Sequence, residues 1–178
     1  MPLLIQHTSS SSLVMQDAVA KALGVWLEVH RGKAGEILNQ LVATYREKRS
    51  VPPPKSDEFG RQLVTEYHDQ WECRVGVAKA MEQVQGFVDA SATMEFLKFV
   101  IPGALSDLRP EVRDAIMSAA RAAISTHGEE LSDKLMAHFE QCLKAAPETH
   151  EADTIRQSAV VLMGTLAKHM DKQNPKVQ

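Results

Sequence analysis

Apolar residues recur every three or four positions along most of the chain, and this spacing lines one face of an α-helix. The predicted apolar face of residues 13–29 consists of Val14, Ala18, Ala22, Val25 and Trp26. That of residues 34–48 consists of Ile37, Leu38, Leu41, Val42 and Tyr45. Further helices are predicted at 69–85, 92–105, 111–126, 130–145 and 152–170, with Gly128 ending the third of these and Pro102 bending the second. The pattern predicts an all-α protein.

The helices recur at a nearly constant interval. An arginine follows an apolar residue at the start of three apolar-striped segments, as Arg74, Arg113 and Arg156, at intervals of 39 and 43 residues. The segment around the second arginine, from Pro102 to Ala115, is predicted to contain the end of one helix, a tight turn and the start of the next helix. This interval is typical of HEAT units, in which two antiparallel helices bury their faces against neighbouring pairs. We therefore expect a HEAT/armadillo-like α-solenoid of stacked helix pairs.

The predicted units are unevenly distributed along the chain. Residues 1–49 correspond to partial HEAT units whose first helix is truncated. Residues 50–68 contain Val51-Pro52-Pro53-Pro54 and are expected to form an extended, proline-rich connector. Residues 69–178 correspond to regular HEAT units, and Asp69 is expected to cap the first helix. The absence of polar terminal caps suggests a segment of a longer array that continues beyond residue 178.

Composition limits the classes of function. Hydrophobic residues make up 44% of the 178 residues and aromatic residues only 5%, which suits closely packed helices. The formal net charge of −3 lacks the basic footprint of a nucleic-acid-binding domain, so no direct DNA binding is expected and any ribosomal contact must be local. The sequence shows no signal peptide and no membrane-spanning stretch, which predicts a cytosolic protein without membrane association.

No catalytic or metal-binding pattern is evident. Cys73 and Cys142 are far apart, without metal-ligand spacing, and are expected to be reduced, partly buried thiols. The seven histidines form no His-x-x-x-His or Glu-x-x-His pair, and phosphate-loop, dinucleotide and nucleophile-elbow motifs are lacking. We therefore expect a non-enzymatic binding protein that requires no cofactor and no metal.

Several longer motifs resemble one family. They are Pro52 to Arg61, Asp69-Gln70-Trp71-Glu72-x-Arg74, Asp114 to His127 and, most specifically, Arg156-Gln157-Ser158-x-Val160-Val161-Leu162-Met163-Gly164-x-Leu166-Ala167-Lys168-His169. Together they resemble the large HEAT-repeat general-control translational activators, over about residues 13–178. This resemblance implies a cytosolic scaffold with two partners, the ribosome and the protein kinase that phosphorylates the alpha subunit of translation initiation factor two. The scaffold would promote activation of that kinase during amino-acid starvation or ribosome stalling.

A second resemblance supplies an alternative function. Trp71-x-x-Arg74-x-x-x-x-Lys79-Ala80-Met81 is similar to the opening of a TOG array, a HEAT variant whose tryptophan-bearing turns bind tubulin. Under this hypothesis Trp71 is an exposed anchor for tubulin or another protein partner. The competing interpretation is that Trp71 packs between neighbouring helices.

Two groups of basic residues are candidates for contacts. Arg46, Lys48 and Arg49 belong to a basic cluster that could touch ribosomal RNA, although interspersed acidic residues favour a solvated edge of mixed charge. Arg74, Arg113 and Arg156 are interpreted as structural, paired with acidic groups or turn carbonyls of adjacent units. Asp107 is the expected acidic partner of Arg113.

Overall fold

The computed structural model describes residues 2–10, 12–51, 68–146 and 150–170. The helices are α1 (Pro2–Thr8), α2 (Leu13–Val29), α3 (Ala34–Arg49), α4 (Trp71–Val84), α5 (Ala90–Lys98), α6 (Pro110–Ala145) and α7 (His150–Ala167). No β-strand occurs within these four ranges. Most of the predicted proline-rich connector, residues 52–67, lies outside the described residues.

The helices stack as the repeat interval predicts. Helix α4 lies at the centre, packed against both α2 and α3 on one side and against α6 on the other. Helix α5 packs on α6, and α7 packs on α6 as well. The buried apolar residues of α1 to α7 form one continuous core, as expected when each helix pair buries its apolar face against its neighbours. The all-α solenoid class is confirmed.

The core contains mainly small and medium-sized apolar residues. In α6 the predicted stripe is completely buried, and it consists of Val112, Ile116, Ala119, Ala120, Ala123 and Ile124. Gly76 in α4 shows how closely the helices approach, because a Cβ at this position would fall on the backbone oxygen of Thr8 and on the side chain of Gln16. Close packing of this kind requires small residues at the crossing points.

Helix α2 corrects one prediction. The face predicted to be buried is largely exposed, with Val14 at 81% and Val25 at 64% of full exposure. The face packed against the stack contains instead Gln16, Val19, Ala20, Leu23 and Leu27. Helix α2 carries apolar residues on two faces, and periodicity alone does not tell which face meets α4.

The segment after α5 is broken as Pro102 predicts. Residues Phe99–Gly103 form a short π-helical turn in which Ile101 has extended backbone angles (φ −117°, ψ 126°), and Ala104–Ser106 form a 3-10 turn. Proline lacks the backbone donor that would continue the helix. The break releases the carbonyl of Ile101, which accepts a hydrogen bond from His138 Nε2 at 3.2 Å.

Helix α6 corrects a second prediction. Residues Pro110–Ala145 form one continuous helical span that includes Gly128, so the expected end of a helix at this residue is wrong. A straight helix of 36 residues would be about 54 Å long. However, the last residue of α6, Ala145, lines the same cavity as Pro102. Pro102 lies only eight residues before the first residue of α6, Pro110, so both ends of α6 must lie near this cavity. Helix α6 therefore folds back on itself into two arms.

The reversal of α6 occurs where sequence placed the boundary between two helices. The first arm runs beside α4 as far as His127, whose Nε2 lies 2.9 Å from the carbonyl of Val88. A Cβ at Gly128 would lie 3.0 Å from Ile124 Cγ2 and 3.4 Å from Leu166 Cδ1. The missing side chain thus lets the end of α7 approach the reversal.

Candidate functional site at the junction of three turns

The most strongly connected polar site surrounds Arg74, in the first turn of α4. Its Nε and Nη2 donate to the two oxygens of Asp107, at 2.8 and 3.1 Å, and Nη1 donates to Asp69 Oδ1 at 2.6 Å. Nη1 also donates to the carbonyl of Lys48, in the last turn of α3, at 3.1 Å. We call Tyr45, Asp69, Arg74 and Asp107 the arginine junction. It joins the end of α3, the start of α4 and the turn before α6.

Burial makes the charges of the arginine junction strongly interdependent. Arg74 and Asp107 are each only 3% exposed, and Arg74 binds Asp107 through two parallel hydrogen bonds. Burial alone lowers the pKa of Arg74, but hydrogen bonds to Asp69 and Asp107 outweigh this effect and raise it. The hydrogen bond from Arg74 is the largest cause that lowers the pKa of Asp69. Both groups are therefore charged at neutral pH.

Tyr45 completes the arginine junction from α3. Its hydroxyl donates to Asp107 Oδ2 at 2.9 Å and lies 3.3 Å from the carbonyl of Ala104. Burial, followed by the charge of Asp107 and the hydrogen bond to it, raises the pKa of Tyr45. The phenol therefore remains protonated and acts as a hydrogen-bond donor.

The other two repeat arginines contact turns in a similar manner. Arg113 Nη1 donates to the carbonyls of Asp107 and Leu108, at 2.8 and 3.1 Å. Arg156 Nη2 donates to the carbonyl of Ala146, at the end of α6, at 3.1 Å, and Nη1 donates to Asp153 at 2.8 Å. Each of the three arginines thus satisfies a carbonyl that the preceding helix or turn leaves without an intrahelical partner.

Arg113 was predicted to pair with the Asp107 side chain, but it binds only the backbone carbonyl of Asp107. The Asp107 carboxylate binds Arg74 and Tyr45 instead, and its Oδ1 also accepts from the backbone N–H of Arg109 at 3.1 Å. Asp69 does not cap α4, since Gln70 occupies the N-cap position and the Asp69 side chain binds arginines. Asp107 is thus an acidic partner as predicted, but its carboxylate binds Arg74 rather than Arg113, and Tyr45, predicted only as part of an apolar face, is a polar partner.

The basic candidates at the end of α3 lie close together but make different contacts. Arg46 is exposed, and its guanidinium lies 5.4 Å from the centre of the Phe99 ring. Lys48 Nζ lies 3.4 Å from Glu47 Oε1. Arg49 donates to the carbonyls of Gly103 and Ser106, at 2.7 and 3.2 Å, and therefore attaches α3 to the turn before α6. Of the three, Arg46 is exposed, whereas Lys48 and Arg49 are partly buried.

Trp71 is half-buried at the first position of α4. It packs against the apolar core, and the guanidinium of Arg109 lies 5.7 Å from the centre of its ring. Arg109 also donates from Nε to Asp69 Oδ2 at 3.3 Å. Trp71, Arg109 and the arginine junction are thus contiguous, at the ends of the helices that meet near the start of α4.

The two cysteines are free and half-buried. Burial is the largest cause that raises the pKa of each thiol, so both are protonated near neutral pH. Cys142 lines a cavity of about 380 Å³ together with Pro102, His138, Gln141, Ala145, Ala146 and Ile155. In the part of the chain that the structure describes, no three side chains of His, Cys, Asp or Glu are grouped as metal ligands. No described helix is long and apolar enough to cross a lipid bilayer.

Stacked antiparallel helix pairs, with an arginine contacting a turn carbonyl in each of three successive units, define a HEAT-type repeat protein. Residues 1–168 match the family described as "Stalled ribosome sensor GCN1, HEAT repeats". The chain belongs to this family.

Individual relatives align along nearly the whole chain. The human protein named "Stalled ribosome sensor GCN1" is 39% identical over 176 residues, which cover 99% of the chain and 7% of the relative. The Saccharomyces cerevisiae protein named "eIF-2-alpha kinase activator GCN1" is 27% identical over 181 aligned positions, with the same coverage. A Dictyostelium discoideum protein of that name is 37% identical over 107 residues, covering 58% of the chain. The chain thus spans less than a tenth of the length of the human and yeast relatives, and no solved structure matches it.

Proposed function

We propose that this chain is a non-enzymatic scaffold segment of a ribosome-associated translational activator in the cytosol. It would support activation of the kinase that phosphorylates the alpha subunit of initiation factor two, during amino-acid starvation or when ribosomes stall. The observation that carries the proposal is the 39% identity to the human stalled ribosome sensor across 99% of the chain. The name of the yeast relative, a kinase activator, supports the second half of the proposal.

The geometry supports a scaffold that acts by position. A stack of helix pairs exposes its turns and outer helix faces, whereas its interior is filled by packed side chains. A scaffold that holds two partners together raises their effective concentration without any chemistry of its own. The arginine junction would contribute by fixing the angle between α3, α4 and the turn before α6.

Arg46 provides the sharpest test of a ribosomal contact. We expect Arg46→Glu, introduced into the full-length protein, to weaken co-sedimentation with ribosomes and to lower phosphorylation of the initiation factor in starved cells. Arg46 is exposed and stacks on Phe99, so the change should leave the fold intact. Lys48 and Arg49 are poorer first targets because Arg49 holds two turn carbonyls.

Lys21→Glu is the matched control, since Lys21 is exposed on α2, remote in sequence from this end of the stack. Equal co-sedimentation of the Arg46 variant, the control and the unmodified protein at several salt concentrations would remove Arg46 from the proposed ribosomal surface. The tubulin alternative demands an exposed Trp71, and the half-buried Trp71 beneath Arg109 does not favour it.

A further inference from the structure

Leu108 is the most exposed of the large apolar side chains that the structure describes, at 89% of full exposure. It occupies the tip of the turn between the buried Asp107 and Arg109, the N-cap residue of α6. Asp107 anchors this turn from below through Arg74 and Tyr45. The backbone therefore holds an apolar side chain outward on a well-supported turn. Single exposed leucines are common, so the surroundings of this one decide its meaning.

Aromatic and basic groups adjoin Leu108. Arg113 donates to the carbonyl of Leu108 itself, at 3.1 Å. Arg109 is half-exposed, and its guanidinium lies over the ring of Trp71. We call Trp71, Leu108, Arg109 and Arg113 the Leu108 surface. It combines an apolar tip, part of an aromatic ring and two guanidinium groups, and both tryptophan and arginine are enriched at protein interfaces.

Basic side chains predominate in the contacts around the turn that carries Leu108. The contacts around the turn bring four guanidinium groups, those of Arg49, Arg74, Arg109 and Arg113, against the two carboxylates of Asp69 and Asp107. Among the described residues, the hydrogen bonds of Arg49 and Arg113 go to backbone carbonyls and a serine hydroxyl. The N-termini of α4 and α6 both lie here and add a partial positive charge.

Three described acidic residues lie near this turn in the helices α4 and α6. Glu111 and Asp114 are exposed on α6, but they project about 200° and 100° around the helix axis from Arg113. Glu72 is half-buried in the first turn of α4. Within the part of the chain that the structure describes, the guanidinium groups of Arg109 and Arg113 thus border the apolar tip.

We infer that the Leu108 surface binds an acidic protein segment that carries at least one apolar side chain. Carboxylates of the partner would pair with Arg109 and Arg113, whereas its apolar side chain would cover Leu108. Ribosomal RNA is a less suitable occupant, because a phosphate backbone pairs with arginines but leaves Leu108 without an apolar partner. The inference goes beyond the scaffold proposal, since it concerns the chemistry of a partner whether or not that partner belongs to a ribosome.

Peptide binding to this chain tests the inference directly. Three fluorescent probes are compared. They are a peptide in which glutamate and leucine residues alternate, the same peptide with serine in place of leucine, and a single-stranded polyuridine RNA. We expect fluorescence anisotropy to show binding of the leucine-containing peptide, weaker binding of the serine peptide, and loss of both at high salt. Leu108→Asp should reduce affinity for the leucine-containing peptide by about tenfold, because it places a carboxylate where the apolar side chain of the peptide would pack.

Controls separate a surface effect from unfolding. Because Leu108 is 89% exposed, Leu108→Asp should melt at the same temperature as the unmodified chain, and Leu108→Ser supplies a milder second variant. Arg121→Gln removes an exposed arginine farther along α6 and should leave peptide binding unchanged. Failure to bind the leucine-containing peptide, equal binding by Leu108→Asp, or preferential binding of the RNA without dependence on Leu108 would each overturn the inference.

Discussion

The turns at Arg74 and Arg156 carry the same sequence pattern, but the structure uses them differently. Arg74 is 3% exposed and binds two aspartates from different parts of the chain as well as a carbonyl of α3. Arg156 is half-buried and binds Asp153, three residues away, and the carbonyl of Ala146. The shared element is the contact with a turn carbonyl. The two turns therefore differ in how deeply the arginine is buried.

Removal of Arg74 should have the largest effect on stability. Arg74→Ala leaves the buried carboxylate of Asp107 without its cationic partner, and breaking such a pair costs about 3–5 kcal/mol. Urea denaturation followed by circular dichroism measures the loss. A loss below about 1 kcal/mol would mean that the arginine junction stabilises the chain no more than an ordinary surface ion pair does. Arg74 and Arg156 would then not differ in their contribution to stability.

Asp69→Asn should have a smaller effect that depends on pH. Loss of the charge-assisted hydrogen bond to Arg74 should destabilise the chain by about 1–2 kcal/mol at neutral pH. Because the folded state lowers the pKa of Asp69 from its ordinary value of 3.8, its stabilising contribution is present above that pH and is lost as pH falls further. Thermal melts between neutral and strongly acidic pH should show the variant and the unmodified chain converging in acid.

Asp153→Asn is the matched control for Asp69, since Asp153 pairs with Arg156 and is half-exposed. We expect it to change the melting temperature very little at any pH. A parallel pH dependence in both variants would show that the effect belongs to the net charge rather than to the arginine junction.

Tyr45→Phe should destabilise the chain by about 1 kcal/mol, because it removes one buried hydrogen bond while Arg74 still pairs with Asp107. Combining it with Asp107→Asn tests whether the two residues act together. Simple addition of the two free-energy losses would indicate independent contributions and argue against a connected network.

Arg156→Ala should have the smallest effect, about 0.5 kcal/mol, because Arg156 is less deeply buried than Arg74 and its pair with Asp153 is partly solvated. Chemical denaturation alongside Arg74→Ala gives the comparison directly. A loss comparable to that of Arg74 would mean that the carbonyl contact, rather than the buried aspartates, provides most of the stability.

The sequence predicts the architecture well because it depends on spacing. The arginine interval and the apolar stripe of α6 both follow from residues that repeat locally, and both agree with the structure. The buried face of α2 was predicted wrongly because two apolar faces compete on one helix. A choice between them depends on the position of α4, which local periodicity does not contain.

The partners within the site were harder to predict than the fold. Asp107 is 33 residues from Arg74 and only six from Arg113, so proximity in sequence favours the wrong carboxylate pairing. The stacking of units brings the more distant arginine to the carboxylate. Leu108 gave no signal in sequence, because a leucine in a turn is identified as unusual only when its exposure is known.

The reversal in α6 has a consequence for susceptibility to proteases. A hairpin loop between two helices usually offers an extended strand of backbone that fits a protease cleft. Here no extended residue separates the two arms, and Leu166 and His169, at and just after the end of α7, lie beside Gly128. Cleavage at this bend should therefore require local unwinding, so the two arms should survive digestion as a single fragment.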